Sequence, residues 1–428
     1  ATYIDRTHIL EHLKAIKERA LESTKSLLTS HGHLANVTIG SSNFTAFHFA
    51  IYEGHQLDMI DEFLSTMSED DLKMQDCYGR TVLHHAAMST ENTKIAQSLI
   101  RKNRELLTIP ENRGDIPLNV ASWVGHKDMT HYLYNMTSPE FLLSLENERQ
   151  AALFLGDCIR NKWFDVALDL LYRCPELAFA KSRIGMNAVL ALSCQPSAFP
   201  SGSGFSFWQR WIYSCLKIKQ PKPSYGEDDV CINTYEPQYQ KGMKNFRTQE
   251  NELNCAVAGQ LPGLWSNLLK FFGIKQIYDL KQAHVYAHEL LLLMSNMVAA
   301  SDVAQCNQSS VDQAIFNAAQ LGITEFIVKI IKPNLDLLMI YDQHLRNIFQ
   351  IAIAHRQEKV FSLIYGLDTI KYLFLPFRDT MGNNMLHLAG KLSPESQLKL
   401  QQISGAALQM QRELQWFKVI ISLTLSLL

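Results

Sequence analysis

Apolar residues along the chain cluster at helical spacing, and the clusters recur at a nearly constant interval. "TAFHFA" (Thr45 to Ala50), "TVLHHAA" (Thr81 to Ala87) and "IPLNVA" (Ile116 to Ala121) start 36 and 35 residues apart. The register continues at Ala151 ("AALFLGDCI") and Asn187 ("NAVLALS"), vanishes between Ser193 and about Val311, and resumes at Gln313, Asn347 and Asn384. Each copy predicts two antiparallel helices after a tight turn. In "GRTVLHHAAMS", Gly79 can take the positive φ of a turn tip, Thr81 can cap the next helix, and Leu83, Ala86 and Ala87 face inward. "MIDEFL" and "IAQSLI" supply the apolar stripes of second helices, and the Gly of "YEGH" and "WVGH" falls where a left-handed cap ends the first. One such unit cannot bury its own apolar face, so the copies must stack.

A Thr-x-Leu-His-x-Ala core at this period resembles the ankyrin repeat. The resemblance implies an all-α fold, an ankyrin-repeat solenoid in two stacks separated by a partly disordered insertion. The expected divisions are an N-terminal capping helix over 1–40, a first stack over 41–193, a flexible insertion over 194–273 and a linking amphipathic helix over 274–310. A second stack over 311–391, a capping helix over 392–418 and an apolar tail over 419–428 follow. His48, His84 and His387 recur at one slot of the repeat, which predicts local bonding around each turn and not a metal site. His284 and His288 have the i, i+4 spacing of a zinc pair, but without the Glu of HExxH or a third ligand they read as a helix face.

In the interruption, low aliphatic content and many Gly, Pro and charged positions predict mobility. Within it, Phe205–Lys219 ("FSFWQRWIYSCLKIK") predicts a helix that sets Phe207, Trp208 and Trp211 beside Arg210, Lys217 and Lys219. Such a helix suits a lipid interface, or folds back on its own solenoid. The Val/Ile/Leu tail, Val419–Leu428, offers a second apolar contact but is short of the roughly twenty residues that span a bilayer. It is expected to hang free beyond the last capping helix.

Composition removes several functions. A formal charge of −2, from 40 basic and 42 acidic residues, leaves no basic footprint for nucleic acid. The eight cysteines form no CxxC pair and fit a reducing compartment. Phosphate-binding GxxxxGK[ST], GxGxxG after a strand and the GxSxG nucleophile turn are all missing from the sequence. The expectation is therefore a non-catalytic protein with no cofactor, no metal and no small-molecule substrate.

"GIKQIYDLKQAH", "RNIFQIAIAHRQEKVFSLIYGL", "DTMGNNMLHLAGKL" and "GAALQMQRELQWFK" together resemble plant ankyrin-repeat proteins of the accelerated-cell-death-like family. In that family a cytosolic ankyrin region precedes a C-terminal transmembrane domain called PGG. The resemblance implies defence and stress signalling at the plasma membrane, with this chain, which lacks the PGG motif, expected to be a shortened product that is cytoplasmic and peripheral there. It leaves two roles open: an interaction scaffold, or the regulatory region or shortened competitor of a membrane transporter or channel-like assembly. Aromatic and Arg side chains at exposed tips and first-helix ends have the character of binding hot spots. Tyr52, Glu53, Tyr78, Arg80, Met88, Arg113 and Trp123 are accordingly the candidate residues for a protein partner on the concave face.

Overall fold

A computed structural model describes residues 14–15, 17–18, 21–30, 38, 42–54, 57–90, 92–218, 274–300, 310–393 and 406–427. Among these, the regular elements are all helical, as the periodicity predicts. They belong to two compact units, one carrying the described helices up to Asn161 and the other those from Lys162 onward.

The first unit contains α1 (Leu21–Ser30), α2 (Ala46–Tyr52), α3 (Leu57–Thr66), α4 (Val82–Ser89), α5 (Thr93–Lys102), α6 (Pro117–Val124), α7 (Lys127–Met136), a short α8 (Pro139–Leu142) and α9 (Glu148–Arg160). Inner helices stack in the order α2, α4, α6, α9, and outer helices in the order α1, α3, α5, α7. Ala50, Ala86, Ala87 and Ala121 are fully buried, which lets neighbouring inner helices approach closely. Phe47 on α2 stacks on Phe63 of α3 with ring centroids 5.1 Å apart, both without solvent contact.

The inner helices start on a repeated local device. Thr45 Oγ1 accepts the His48 N–H, and the Thr45 N–H donates back to His48 Nδ1 at 3.3 Å. Thr81 with His84 (3.1 Å) and Asn384 with His387 (3.4 Å) repeat this reciprocal pairing, so histidine occupies the place that Glu or Gln holds in the usual capping box. The recurring histidines are thus consumed at their own turns. Asn347 and Gln350 build the same box with the ordinary residue.

Before α4 the chain makes a finger turn at Asp76–Arg80. The Asp76 N–H bonds the Arg80 carbonyl, and its Oδ1 accepts the N–H groups of Tyr78 and Arg80 at 2.8 Å each. The same backbone pair closes fingers at Glu111–Asp115, Ser182–Met186, Asp342–Arg346 and Asp379–Asn383. The fourth finger residue has positive φ each time, as Gly79, Gly114, Gly185 and Gly382, but also as Leu345 at φ 57°. Adjacent fingers are joined by Cys77 N–H to Ser42 O, Asn112 N–H to Tyr78 O, and Thr380 N–H to His344 O.

The second unit contains α10 (Phe164–Arg173), α11 (Ala188–Ser193), α12 (Phe207–Cys215), α13 (Ile274–Ala300), α14 (Val311–Leu321), α15 (Thr324–Ile331), α16 (Ile348–Ala354), α17 (Glu358–Phe361), α18 (Met385–Gly390) and α19 (Ala406–Leu427). Inner helices α11, α14, α16 and α18 stack in sequence, so α11 meets α14 although more than a hundred residues separate them. The long α13 packs against both α10 and α15 and also touches α11, the place an outer helix takes in the pairs of the first unit.

Several expectations need correction. The slots at Ala151 and Gln313 lie inside α9 and α14, which begin earlier; ahead of α9 the chain forms α8 and a 3-10 turn at Leu145–Asn147 instead of a finger, having no polar-x-x-Gly stretch there. The stretch from Cys194, expected to be flexible, is ordered as far as Ile218. Pro196 and Pro200 start two 3-10 turns, and Ala198 and Phe199 plug into the core between them. The tail does not hang free, because α19 runs unbroken from Ala406 to Leu427 against α18, and Ile420 within it is fully buried. The expected cap over 1–40 is described mainly as α1, and the expected features at 219–273, 301–309 and 394–405 lie outside the described residues.

Candidate functional site

Tyr52, Met88 and Trp123 each stand seven residues after an N-cap, at Thr45, Thr81 and Ile116 respectively, so they occupy one position on three successive inner helices of the first unit. Helix geometry therefore turns them into a row at the C-terminal ends of α2, α4 and α6. Tyr52 is 55% exposed and Trp123 59%, whereas Met88 is half-buried. In the second unit the same position holds Cys194, Ala354 and Lys391, so among the described residues the row belongs to the first unit.

The row is braced from behind. The Arg160 guanidinium lies 4.6 Å from the Trp123 ring centroid, and its Nη2 bonds Asp157 Oδ1 at 2.8 Å. Asp157 Oδ2 accepts the Ser122 hydroxyl at 3.1 Å, so a buried carboxylate fixes the cation that holds the indole. Phe44 meets Tyr52 edge-on at 6.3 Å and His85 at 4.9 Å. Glu53, the residue that ends α2, is exposed beside the row.

The finger tips form a second row. Tyr78 and Arg113 are the third residues of consecutive fingers, both exposed, and Arg113 has no polar partner among the described residues. Arg80 behaves differently from the other candidates. Its Nε donates to the buried Glu111 carboxylate at 2.7 Å, its guanidinium sits 5.2 Å from the Tyr78 ring, and Nη1 lies 3.8 Å from Met88 Sδ. It links the two rows, but its strongest donor is already committed to the next finger. The third finger position continues in the second unit as Ile184, His344 and Met381, all exposed. The sequence reading missed Ile184 and Met381, although the polar-x-x-Gly spacing of "SRIGM" and "DTMGN" carried the signal.

Buried titratable groups cluster behind the fingers. Burial holds His48 and His84 down at a pKa of about 4, with the neighbouring His85 adding to the effect and contacts to carbonyl or carboxylate oxygen opposing it. His84 Nε2 lies 3.1 Å from the Asp115 carbonyl and must donate to it, which leaves Nδ1 to accept the Thr81 N–H. His85 Nε2 bonds Asp76 Oδ2 at 3.0 Å, yet burial still lowers its pKa. These histidines are neutral structural links.

In the second unit, Ser203 Oγ, His284 and Tyr213 Oη are aligned at 3.2 and 2.8 Å, the spacing of a nucleophile, a base and an orienting group. The Ser197 carbonyl, 3.3 Å from His284 Nε2, requires a proton on that nitrogen, so Nε2 donates and Nδ1 accepts the Tyr213 hydroxyl. In this tautomer His284 cannot take a proton from Ser203. The imidazole instead fastens α12 to α13. Among the described residues, no group of three or more His, Cys, Asp or Glu is placed to hold a metal ion, and no helix is long and apolar enough to cross a membrane.

Stacked antiparallel helix pairs opened by hydrogen-bonded fingers are the architecture of an ankyrin-repeat solenoid, a class of protein–protein interaction module. Residues 47–141 match the family model described as ankyrin repeats (three copies), a span that holds the whole aromatic row. No curated protein matches the chain.

Proposed function

We propose that the protein is a non-catalytic interaction scaffold whose protein partner lies along Tyr52, Met88 and Trp123, with Glu53 at the edge and Tyr78 and Arg113 reaching over it from the fingers. The observation that carries this reading is the row itself: large side chains at one position of three successive repeats, exposed at Tyr52 and Trp123, with Trp123 braced from behind by the Arg160–Asp157 ion pair. Rigid exposed aromatics bind at low entropic cost, which is why they dominate interface energetics. Arg80 serves as the brace that sets Tyr78 against Met88 and not as a contact of its own. The family resemblance supports placing this scaffold in plant defence and stress signalling, at the cytosolic face of the plasma membrane.

A photo-crosslinking residue introduced at Trp123, compared with one at exposed Arg101 on outer helix α5, tests the row in cells. Adducts of defined mass at position 123, lost on Tyr52→Ala and missing at position 101, are expected. Equal adducts at both positions would remove the row from consideration.

A further inference from the structure

Among the described residues, the nine-residue α12 is fastened to α13. Tyr213 Oη donates to His284 Nδ1, Lys281 Nζ donates to the carbonyls of Tyr213 and Leu216 at 2.6 Å each, and Phe205 packs 5.0 Å from the Tyr213 ring. These contacts bind it to α13, yet no residue of α12 is buried. Phe207 and Trp211, four residues apart on the face opposite Tyr213, are 89% and 67% exposed. Arg210, three residues from both Phe207 and Tyr213, lies at the border of that face and is exposed, as is Lys217 just beyond the helix. Trp208 and Gln209 line a groove of about 590 Å³ whose other wall includes Gln276, Ile277 and Leu280 of α13.

Charge decides what covers this face. Between Glu176 and Glu227 the sequence has no carboxylate side chain, while Lys181, Arg183, Arg210, Lys217, Lys219 and Lys222 all fall there, in a chain whose overall charge is only −2. On α12 and its flanks two large rings stand beside cations of one sign with no carboxylate, the nearby Glu325 acting on Tyr213 at the fastened side, and this pairing complements an interface that is apolar below and negative above. A protein partner would instead be registered by directional bonds, and Phe207 and Trp211 offer one ring N–H between them.

We propose that α12 docks on the surface of an anionic phospholipid bilayer, with Phe207 and Trp211 entering the interfacial layer and Arg210 and Lys217 facing headgroup phosphates. Fastening to α13 presents the rings already oriented, so little ordering accompanies contact. One short helix gives reversible, salt-sensitive attachment. The proposal rests on the membrane placement given above and not on the aromatic row of the other unit.

The full chain should sediment with vesicles of equimolar phosphatidylcholine and phosphatidylserine, stay in solution with phosphatidylcholine alone, and be released by high salt. Phe207→Ser with Trp211→Ser, both at exposed positions, should keep the helical circular dichroism spectrum and lower vesicle binding by about tenfold or more. Arg210→Glu with Lys217→Glu should abolish the preference for phosphatidylserine. Leu408→Ser on exposed α19 and Trp123→Ala in the partner row should leave vesicle binding unchanged, so failure of the partner row and failure of this proposal register separately. Equal binding by the Phe207/Trp211 variant, binding blind to lipid charge, or no sedimentation of the unaltered chain would each overturn it. So would finding that the two rings instead mediate self-association or capture of a protein in the absence of lipid.

Discussion

Substitution of His84 by glutamine removes one titrating group while keeping both hydrogen bonds that hold it. The precedent is in the same chain: Gln350 Oε1 accepts the Asn347 N–H at 3.1 Å, and its Nε2 donates to the Phe377 carbonyl at 3.1 Å, the two roles that His84 fills toward Thr81 and Asp115. Burial sets the folded pKa of His84 at about 4 against 6.5 for an exposed imidazole. As pH falls below 6.5 the unfolded chain takes up a proton that the folded chain refuses until about pH 4. The stability contributed by neutral His84 is therefore complete above pH 6.5 and drains away between 6.5 and 4. A gap of about 2.5 pH units at 1.36 kcal/mol each amounts to roughly 3 kcal/mol, of which about 2 is already lost at pH 5. Urea unfolding of both proteins from about pH 7.5 to about pH 4.5 reads this directly, since the carboxylates and histidines away from the site are common to both and cancel in the difference, while His85 and Asp76, which act on His84, enter as part of its own titration. Near pH 7.5 the two should agree within about 1 kcal/mol, and by about pH 5 the glutamine variant should be the more stable by about 2 kcal/mol. Amide exchange in the fingers at 76–80 and 111–115 should show the same crossover locally. Parallel stability curves across this range would mean that His84 is not held neutral by burial, and the capping role assigned to it would fall with that.

Gly79→Ala and Gly114→Ala both place a side chain at positive φ, but a Cβ at 79 meets the Asn112 backbone nitrogen at 2.7 Å, whereas one at 114 meets nothing within 4 Å. Thermal melts should therefore show a loss of about 1–2 kcal/mol for Gly114→Ala and clearly more for Gly79→Ala; equal losses would show that the two fingers do not constrain each other. Leu345→Gly should stabilise the protein by about 0.5–1 kcal/mol in denaturant titration, since the exposed leucine holds the left-handed conformation that glycine adopts freely, and destabilisation would refute the strain.

Much of the fold was legible because it is written locally. Helix positions follow from the 3.6-residue spacing of Ile95, Leu99 and their equivalents, turn tips from Gly79 and its counterparts, and N-caps from Thr45 and Thr81. The period also placed Tyr52, Met88 and Trp123 at helix ends, and the fold leaves Tyr52 and Trp123 exposed but Met88 half-buried. What the sequence could not say was which distant segments meet. Nothing local in "IKQIYDLKQAH" announces that α13 will lie between α10 and α15 while α11 reaches across to α14, because that pairing depends on apolar faces far apart along the chain finding complementary neighbours. Arg80 looked like a free binding residue until Glu111, 31 positions away, proved to hold it. The tail at 419–428 reads as an appendage by composition, yet Ile420 is buried because α18 supplies a surface for α19 to cover. Periodicity and capping act within a few residues of each position and so appear in any window of the chain, whereas burial, ion pairing and a histidine's tautomer depend on partners that only the folded chain brings within bonding distance.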